Sequence, residues 1–192
     1  MVRLDKIVTK AGDGGKTRLA TGEEVPKHSA RVAAYGAVDE ANAAIGVARL
    51  HLASDPVLDA ILLRVQNDLF DLGADLATPE RDKPLAFEAL RIQDSQVDRL
   101  EREVDEINAK LTPLTSFILP AGTPAAAHLH LARTVARRAE RAIAELMDDP
   151  SEKVSPAALK YANRLSDLIF VMARAANDEG RGDVLWKPGA TR

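Results

Sequence analysis

Apolar residues at steps of three and four are the dominant pattern of this chain. Leu58, Leu62, Val65, Leu69, Leu72 and Leu76 follow it through residues 56–77, and Leu165, Ile169, Met172 and Ala176 through 156–178. That spacing collects side chains on one face of an α-helix. Over 124–148 the same stripe is drawn by Leu129, Ala132, Ala136, Ala139 and Ile143, with Arg133, Arg137 and Arg141 on the opposite side. Three helix starts share one device: Asp55-Pro56, Thr123-Pro124 and Ser155-Pro156. Each sets a side-chain acceptor at the N-cap and a proline at the first helical position, where no N–H is needed. Two further periodic stretches, 29–52 and 92–111, bring the prediction to five helices. Stretch 29–52 is nearly paved with small residues: Ala33, Ala34, Gly36, Ala37, Ala41, Ala43, Ala44, Gly46 and Ala48. An interior glycine costs roughly 1 kcal/mol relative to alanine, so a neighbouring helix or ligand is expected to approach closely there. Stretch 92–111 holds the most charged run, Asp98 to Glu106, read as a solvated face. Residues 78–93 and 112–122 are loops.

The predicted fold is therefore all-α, an antiparallel five-helix bundle in a single domain over 1–192. It has an irregular arm at 1–28, the bundle at 29–178 and a tail at 179–192. Composition agrees. At 46% hydrophobic but only 4% aromatic, the chain must pack on alanine and leucine, which favours helices. A net charge of -3 argues against a general nucleic-acid binder. Without cysteine, disulfides and thiolate metal sites are excluded. No apolar run reaches the roughly 20 residues of a membrane span, and residues 1–28 lack the apolar core of a secretion signal. The expected location is cytoplasmic. A di-iron site needs Glu-x-x-His on two helices, and no histidine here (His28, His51, His128, His130) has glutamate three residues before it.

Candidate chemistry lies in four places. Thr9-Lys10-Ala11-Gly12-Asp13-Gly14-Gly15-Lys16-Thr17 joins glycines to lysines and hydroxyls, a composition that suits a polyphosphate and equally a surface turn. It is not a Walker A loop, because Lys10 stands where that motif needs glycine. Arg133, Arg137 and Arg141 stack along one helical face, where like charges repel unless an anion or acidic partner sits among them. Arginine's planar fork also binds two phosphate oxygens at once. Asn163 and Asp167 share a face of the last helix. There Asn163 suits a base or ribose and Asp167 a neighbouring arginine, although both also suit ordinary helix surface. Asp39-Glu40, amid so much alanine, calls for a cationic partner.

Six segments then resemble, in order, the PduO-type ATP:cob(I)alamin adenosyltransferases. They are Thr9-Lys10-x-Gly12-Asp13-x-Gly15-x-Thr17, Ala34-Tyr35-Gly36-x-Val38-Asp39-Glu40, Gln66 to Gly73, Phe117-Ile118-Leu119-Pro120-x-Gly122, Arg133-x-x-x-Arg137-Arg138-Ala139-Glu140-Arg141, and Asn163-Arg164-Leu165-Ser166-Asp167. The resemblance covers nearly the whole chain. It implies a ferritin-like, cobalamin adenosyltransferase-like bundle forming homotrimers with sites between subunits. The implied reaction moves the 5′-deoxyadenosyl group of ATP to cobalamin and releases triphosphate, with Mg²⁺ held mainly through the phosphates. By match, Thr9, Lys10, Ala11, Gly12, Thr17, Arg18 and Lys27 would line the ATP site on one subunit. Arg137, Arg138, Ala139, Glu140, Arg141 and Asn163 would contact ATP from the last two helices. Asp39 would pair with Arg133 across the interface, and Phe117 would pack under the corrin and exclude its lower ligand. A cobalamin reductase and an adenosylcobalamin-dependent mutase or dehydratase are the implied partners. A non-catalytic ATP- or corrinoid-carrying module on the same fold is the alternative. Departures from the family pattern fall at Ala11, Ala121 and Ala162. Small-for-large changes at Ala11 and Ala162 are expected to weaken affinity, and Ala121 to stiffen the loop bearing Phe117.

Overall fold

The computed structural model describes residues 8–81 and 84–192. It contains five helices: α1 (Ala30–Arg49), α2 (Pro56–Leu76), α3 (Asp94–Asn108), α4 (Pro124–Met147) and α5 (Pro156–Ala175). The three proline-started helices begin as the sequence predicts. Asp55 accepts from the Leu58 N–H at 3.0 Å, Thr123 from Ala126 at 3.1 Å and Ser155 from Ala157 at 3.2 Å.

Helix α1 packs between α2 and α4, α4 packs on α5, and α5 on α3. Small side chains set the α1–α4 seam. Ala34, Ala37, Ala41 and Ala48 face Ala132, Ala136 and Ala139 in one buried core, and Val38, Ile45, Leu129 and Ile143 fill the gaps. Gly46 meets the close approach expected of it, since a Cβ there would stand 3.3 Å from the Gln66 amide nitrogen. Gly36 does not: nothing within the described chain comes within 4 Å of that position.

The bundle closes through polar groups. Asp68 on α2 accepts from the Tyr161 hydroxyl (3.0 Å) and the Gln96 amide (2.9 Å), and pairs with Arg99. Further ties join Arg64 to Glu103 and Arg164 to Glu101. Asp98, Glu101, Arg102, Asp105 and Glu106 are exposed, as expected of a solvated face, while Arg99 and Glu103 turn inward. Val97 and Leu100 are buried in the core with Val104 and Ile107 packed against it, and burial pushes the Glu103 carboxyl up against the pull of Arg64 and Arg99.

The arm is more regular than expected. Strands β1 (Lys16–Arg18) and β2 (Glu24–Pro26) form an antiparallel hairpin. It docks on the end of α2 through buried Leu19 and a bond from Ala20 N–H to the Ala77 carbonyl at 3.0 Å. Helix α5 stops earlier than predicted because Asp178, Glu179 and Gly180 all take positive φ (56°, 53° and 86°), and the chain reverses there. No helix among the described residues is long and apolar enough to cross a membrane.

Candidate active site

On the α1/α2 side, Thr9, Ala11, Gly12, Lys16, Thr17, Arg18, Glu24 and Lys27 line a cleft of about 400 Å³. The hairpin brings these residues together. Lys27 N–H bonds to the Gly15 carbonyl at 2.9 Å, and the Lys27 ammonium lies 2.8 Å from where a Cβ on Gly12 would stand. A side chain at Gly12 would push the lysine tip out of that position. Lys10, with φ of 60°, turns the chain into the loop without lining the cleft. Glu24 is an unforeseen member. It pairs with Lys16 at 2.9 Å and Arg18 at 3.7 Å, and the Lys16 hydrogen bond holds its carboxyl below the ordinary range. Asp39 lies in a separate hollow between α1 and α2, with Tyr35 and exposed Phe70 beside it.

On the α4/α5 side, Arg137, Glu140, Arg141, Lys160, Asn163 and Arg164 surround a second cleft of about 390 Å³. Asn163 donates to Glu140 at 2.7 Å, while Arg164 bonds to both Asn163 and Glu101. The cations of this cleft are thus arranged around a hydrogen-bonded Asn163–Glu140 pair. Low-dielectric surroundings raise the Asp167 carboxyl, with Arg164 pulling the other way. Two residues expected here do not line this cleft. Ala139 is 3% exposed and belongs to the core, as its place on the apolar stripe dictates. Arg138 turns away from the cleft to pair with Glu40 on α1. Ala162 is core as well, so its departure from the family pattern concerns packing rather than ligand contact.

A turn back along α4, Arg133 opens onto a third and larger cavity, about 540 Å³. Leu114, Phe117, Ile118, His130 and Phe170 also line it. The arginine stripe therefore serves two spaces: Arg133 one, Arg137 and Arg141 the other. Burial lowers the Arg133 pKa, the neighbouring Arg137 lowers it further, and its Nε has no partner among the described residues. Its guanidinium carbon stands 6.0 Å from the centre of the Phe170 ring. His130 is 1% exposed with neither ring nitrogen hydrogen-bonded. Burial first, then the Arg133 charge, lowers its pKa, so the imidazole is neutral near pH 7.

Phe117 itself is 77% exposed, yet its backbone is pinned. Trp186 N–H bonds to the Phe117 carbonyl, Leu119 N–H to that of Val184, and the Ser116 hydroxyl to that of Trp186, all at 2.8 Å. Both ends of this loop are tied to α5. Arg174 donates to Thr112 O at 2.6 Å and to Asp183 at 2.7 Å, and Asn177 accepts from Thr123 N–H at 2.9 Å. Gly122, at φ 111°, sits directly against Asn177, where no side chain fits. Ala121 has no positive φ and is unstrained. His130, Phe170 and Trp186 carried no distinguishing sequence signal, being respectively one histidine of four, an aromatic beside the α5 stripe and part of a short tail.

Over residues 7–176 the chain matches the sequence profile of cobalamin adenosyltransferase. It belongs to the cobalamin adenosyltransferase family. A corrinoid adenosyltransferase of Mycobacterium tuberculosis is 49% identical over 191 residues, covering 100% of this chain and 97% of that relative. One from Bacillus subtilis is 42% identical, covering 96% and 94%. Family likeness extends to the backbone. A histidine-for-phenylalanine variant of the Lactobacillus reuteri PduO-type ATP:corrinoid adenosyltransferase, complexed with cobalamin and ATP, aligns with a TM-score of 0.86. It is 39% identical, over 95% of this chain and 97% of that one. A lysine-for-arginine variant of the same protein complexed with ATP aligns at 0.83 and 40% identity, over 94% and 100%.

Proposed function

We propose that this family member transfers the 5′-deoxyadenosyl group of ATP to cob(I)alamin and releases triphosphate. The carrying observation is Phe117, an exposed aromatic on a rigidly held backbone at the mouth of an apolar cavity. Folding alone gives no reason to expose that ring. Beneath a corrin it displaces the lower axial ligand. The four-coordinate Co(II) so formed is easier to reduce, because no ligand feeds electron density to the metal. Co(I) then attacks C5′ of ATP in line. The Co–C bond forms from the cobalt electron pair, and the C5′–O bond breaks with its pair leaving on triphosphate. The protein has two tasks, holding C5′ against cobalt and stabilising the departing charge.

The arm cleft, with Thr9 to Gly12, Thr17, Arg18 and Lys27, supplies backbone N–H groups and cations for the phosphates, with Lys10 adding charge at its edge. Arg137, Arg141, Glu140 and Asn163 form the other half, for the remaining phosphates and the nucleoside. The two clefts share no lining residue, and Asp39 and Arg133 lie in different hollows. One chain therefore carries two half-sites. A head-to-tail ring, the homotrimer, completes each site between neighbours and gives Arg133 the Asp39 carboxylate that it lacks in its own chain. Among the described residues no three carboxylate or imidazole groups converge on a metal position. Mg²⁺ would be carried by the ATP phosphates, where it neutralises charge on the leaving group.

The test is an anaerobic assay of chemically reduced cob(I)alamin with Mg-ATP, with triphosphate measured in parallel. Equal amounts of adenosylcobalamin and triphosphate are expected. ATP binding without product would instead establish the non-catalytic module.

A further inference from the structure

Four charged residues outside the clefts described above form a continuous chain at the base of the arm. Arg31, in the first turn of α1, is only 3% exposed. It donates to the Leu76 carbonyl at 2.6 Å and twice to Glu152 Oε2, at 3.0 and 2.5 Å. Glu152 also accepts from Arg81, at 3.1 and 3.4 Å. Arg81 reaches on to Glu23 at 3.2 and 3.4 Å. Burial pushes the Glu152 carboxyl up, but the hydrogen bonds of Arg81 and Arg31 outweigh it and hold the group below its ordinary value.

The placement of Glu23 gives the chain a use. It sits at the closed end of the hairpin, just before β2, and its carbonyl accepts the Leu19 N–H at 2.9 Å. The open end of that hairpin carries Thr17, Lys27 and the glycine loop. The two short strands have only three residues each. Such a ribbon is not stable by itself, and its orientation depends on what grips its turn. Three contacts do so: buried Leu19, the Ala20–Ala77 backbone bond, and the Glu23–Arg81 pair. Of these only the ion pair continues to a buried anchor, because Glu152 is itself fixed by Arg31.

We infer that Glu23, Arg81 and Glu152 are positioning residues for ATP, acting through the hairpin to set where the phosphate loop stands. This rests on the arm being the phosphate site proposed above. Cutting the chain at Glu23 or at Arg81 releases the same lever, so the two cuts act as one.

The test combines kinetics with hydrogen exchange on the full chain. In Glu23→Gln and Arg81→Ala, the KM for ATP is expected to rise about fivefold, the upper range for a partly exposed pair. The kcat and the KM for cob(I)alamin should stay within about twofold. The double variant should be no worse than either single one, since both remove the same interaction. Amide exchange should quicken over residues 16–26 and stay unchanged in α1, α2 and α4. Arg81→Lys, which keeps a cation between the two carboxylates, should recover most of the ATP affinity. Wild-type exchange with and without Mg-ATP separates the two layers of the argument. If ATP fails to protect residues 9–27, the arm is not the phosphate site and the inference falls with that reading. If ATP protects them, yet the variants keep the wild-type KM or lose kcat and both KM values together, the positioning role alone is overturned.

Discussion

Replacing Phe117 by alanine separates folding from chemistry more cleanly than any other change in the molecule. The ring is 77% exposed, so folding removes about a quarter of its surface from water. For a phenylalanine of roughly 200 Å² that is about 50 Å², or near 1 kcal/mol at 25 cal/mol per Å². In a chain of this length such a loss lowers the melting temperature by about 2–4 °C. The neighbouring backbone bonds to Val184 and Trp186 do not involve the ring and should survive. The effect on cobalamin is predicted to be far larger. Without an apolar wedge the lower ligand returns to cobalt, and the four-coordinate Co(II) absorbance and magnetic-resonance signatures should vanish. Turnover measured through reduction of bound Co(II) should fall at least tenfold, about 1.4 kcal/mol or more of lost transition-state stabilisation. ATP affinity should remain near wild type, since Phe117 lines neither nucleotide cleft. Calorimetry, cob(II)alamin spectroscopy in the presence of ATP, and ATP titration answer these points. Retention of the four-coordinate signature in the variant would refute the wedge role. A fall in melting temperature above about 8 °C would refute the claim that the ring is dispensable for folding.

Other expectations follow from the same geometry. Arg137→Ala removes a charge-assisted donor from the α4/α5 cleft, a loss of about 1.5–3 kcal/mol. It should raise the KM for ATP more than tenfold without changing stability; wild-type kinetics would end its phosphate role. Asp39→Asn should slow turnover or shift the proposed trimer towards smaller species in light scattering, and a variant normal in both would remove the pairing with Arg133. His130 has a folded pKa below its ordinary 6.5. Its neutral, buried form therefore contributes stability that is complete above pH 6.5 and is lost as the pH falls through the lowered value. Urea denaturation of wild type should weaken on acidification below pH 6.5, and His130→Gln should flatten that part of the profile. An unchanged slope would show that His130 is not the titrating group.

The bundle was legible in the sequence because its signals are local. A proline after Asp55, Thr123 or Ser155 and a three-four apolar stripe are statements about neighbouring residues, and the helices begin where those statements place them. Arg137, Arg141 and Asn163 could likewise be placed on facing helical surfaces by counting. Arg138 and Ala139, one and two positions on, do not line that cleft: family motifs run along the chain, whereas a helix turns 100° per residue and sends adjacent side chains to different neighbours. The hairpin escaped notice because three-residue strands leave too little alternation to read. The cavity around Phe117 was legible only in part. It assembles residues from a loop, α4 and α5, with Trp186 of the tail against Phe117, and nothing near His130, Phe170 or Trp186 reports that they converge. Most charges of α3 face water as read, but Arg99 and Glu103 turn inward, since a residue that pairs with another helix looks in sequence like one that faces water.

The strap between the tail and the Phe117 loop also has a bearing on the order in which the protein is made. Every helix and the arm are synthesised before residues 183–186, yet those residues supply the backbone partners of Phe117 and Leu119 and the carboxylate gripped by Arg174. Chains are built from the amino terminus at about 5–20 residues per second. The bundle can therefore close on a growing chain before the loop bearing Phe117 is held in place. Fixing that loop is then a separate, later event that waits on residues 183–186. A nascent chain arrested before Asp183 is expected to be helical and to hold nucleotide, but to be unable to force cobalt into four coordination.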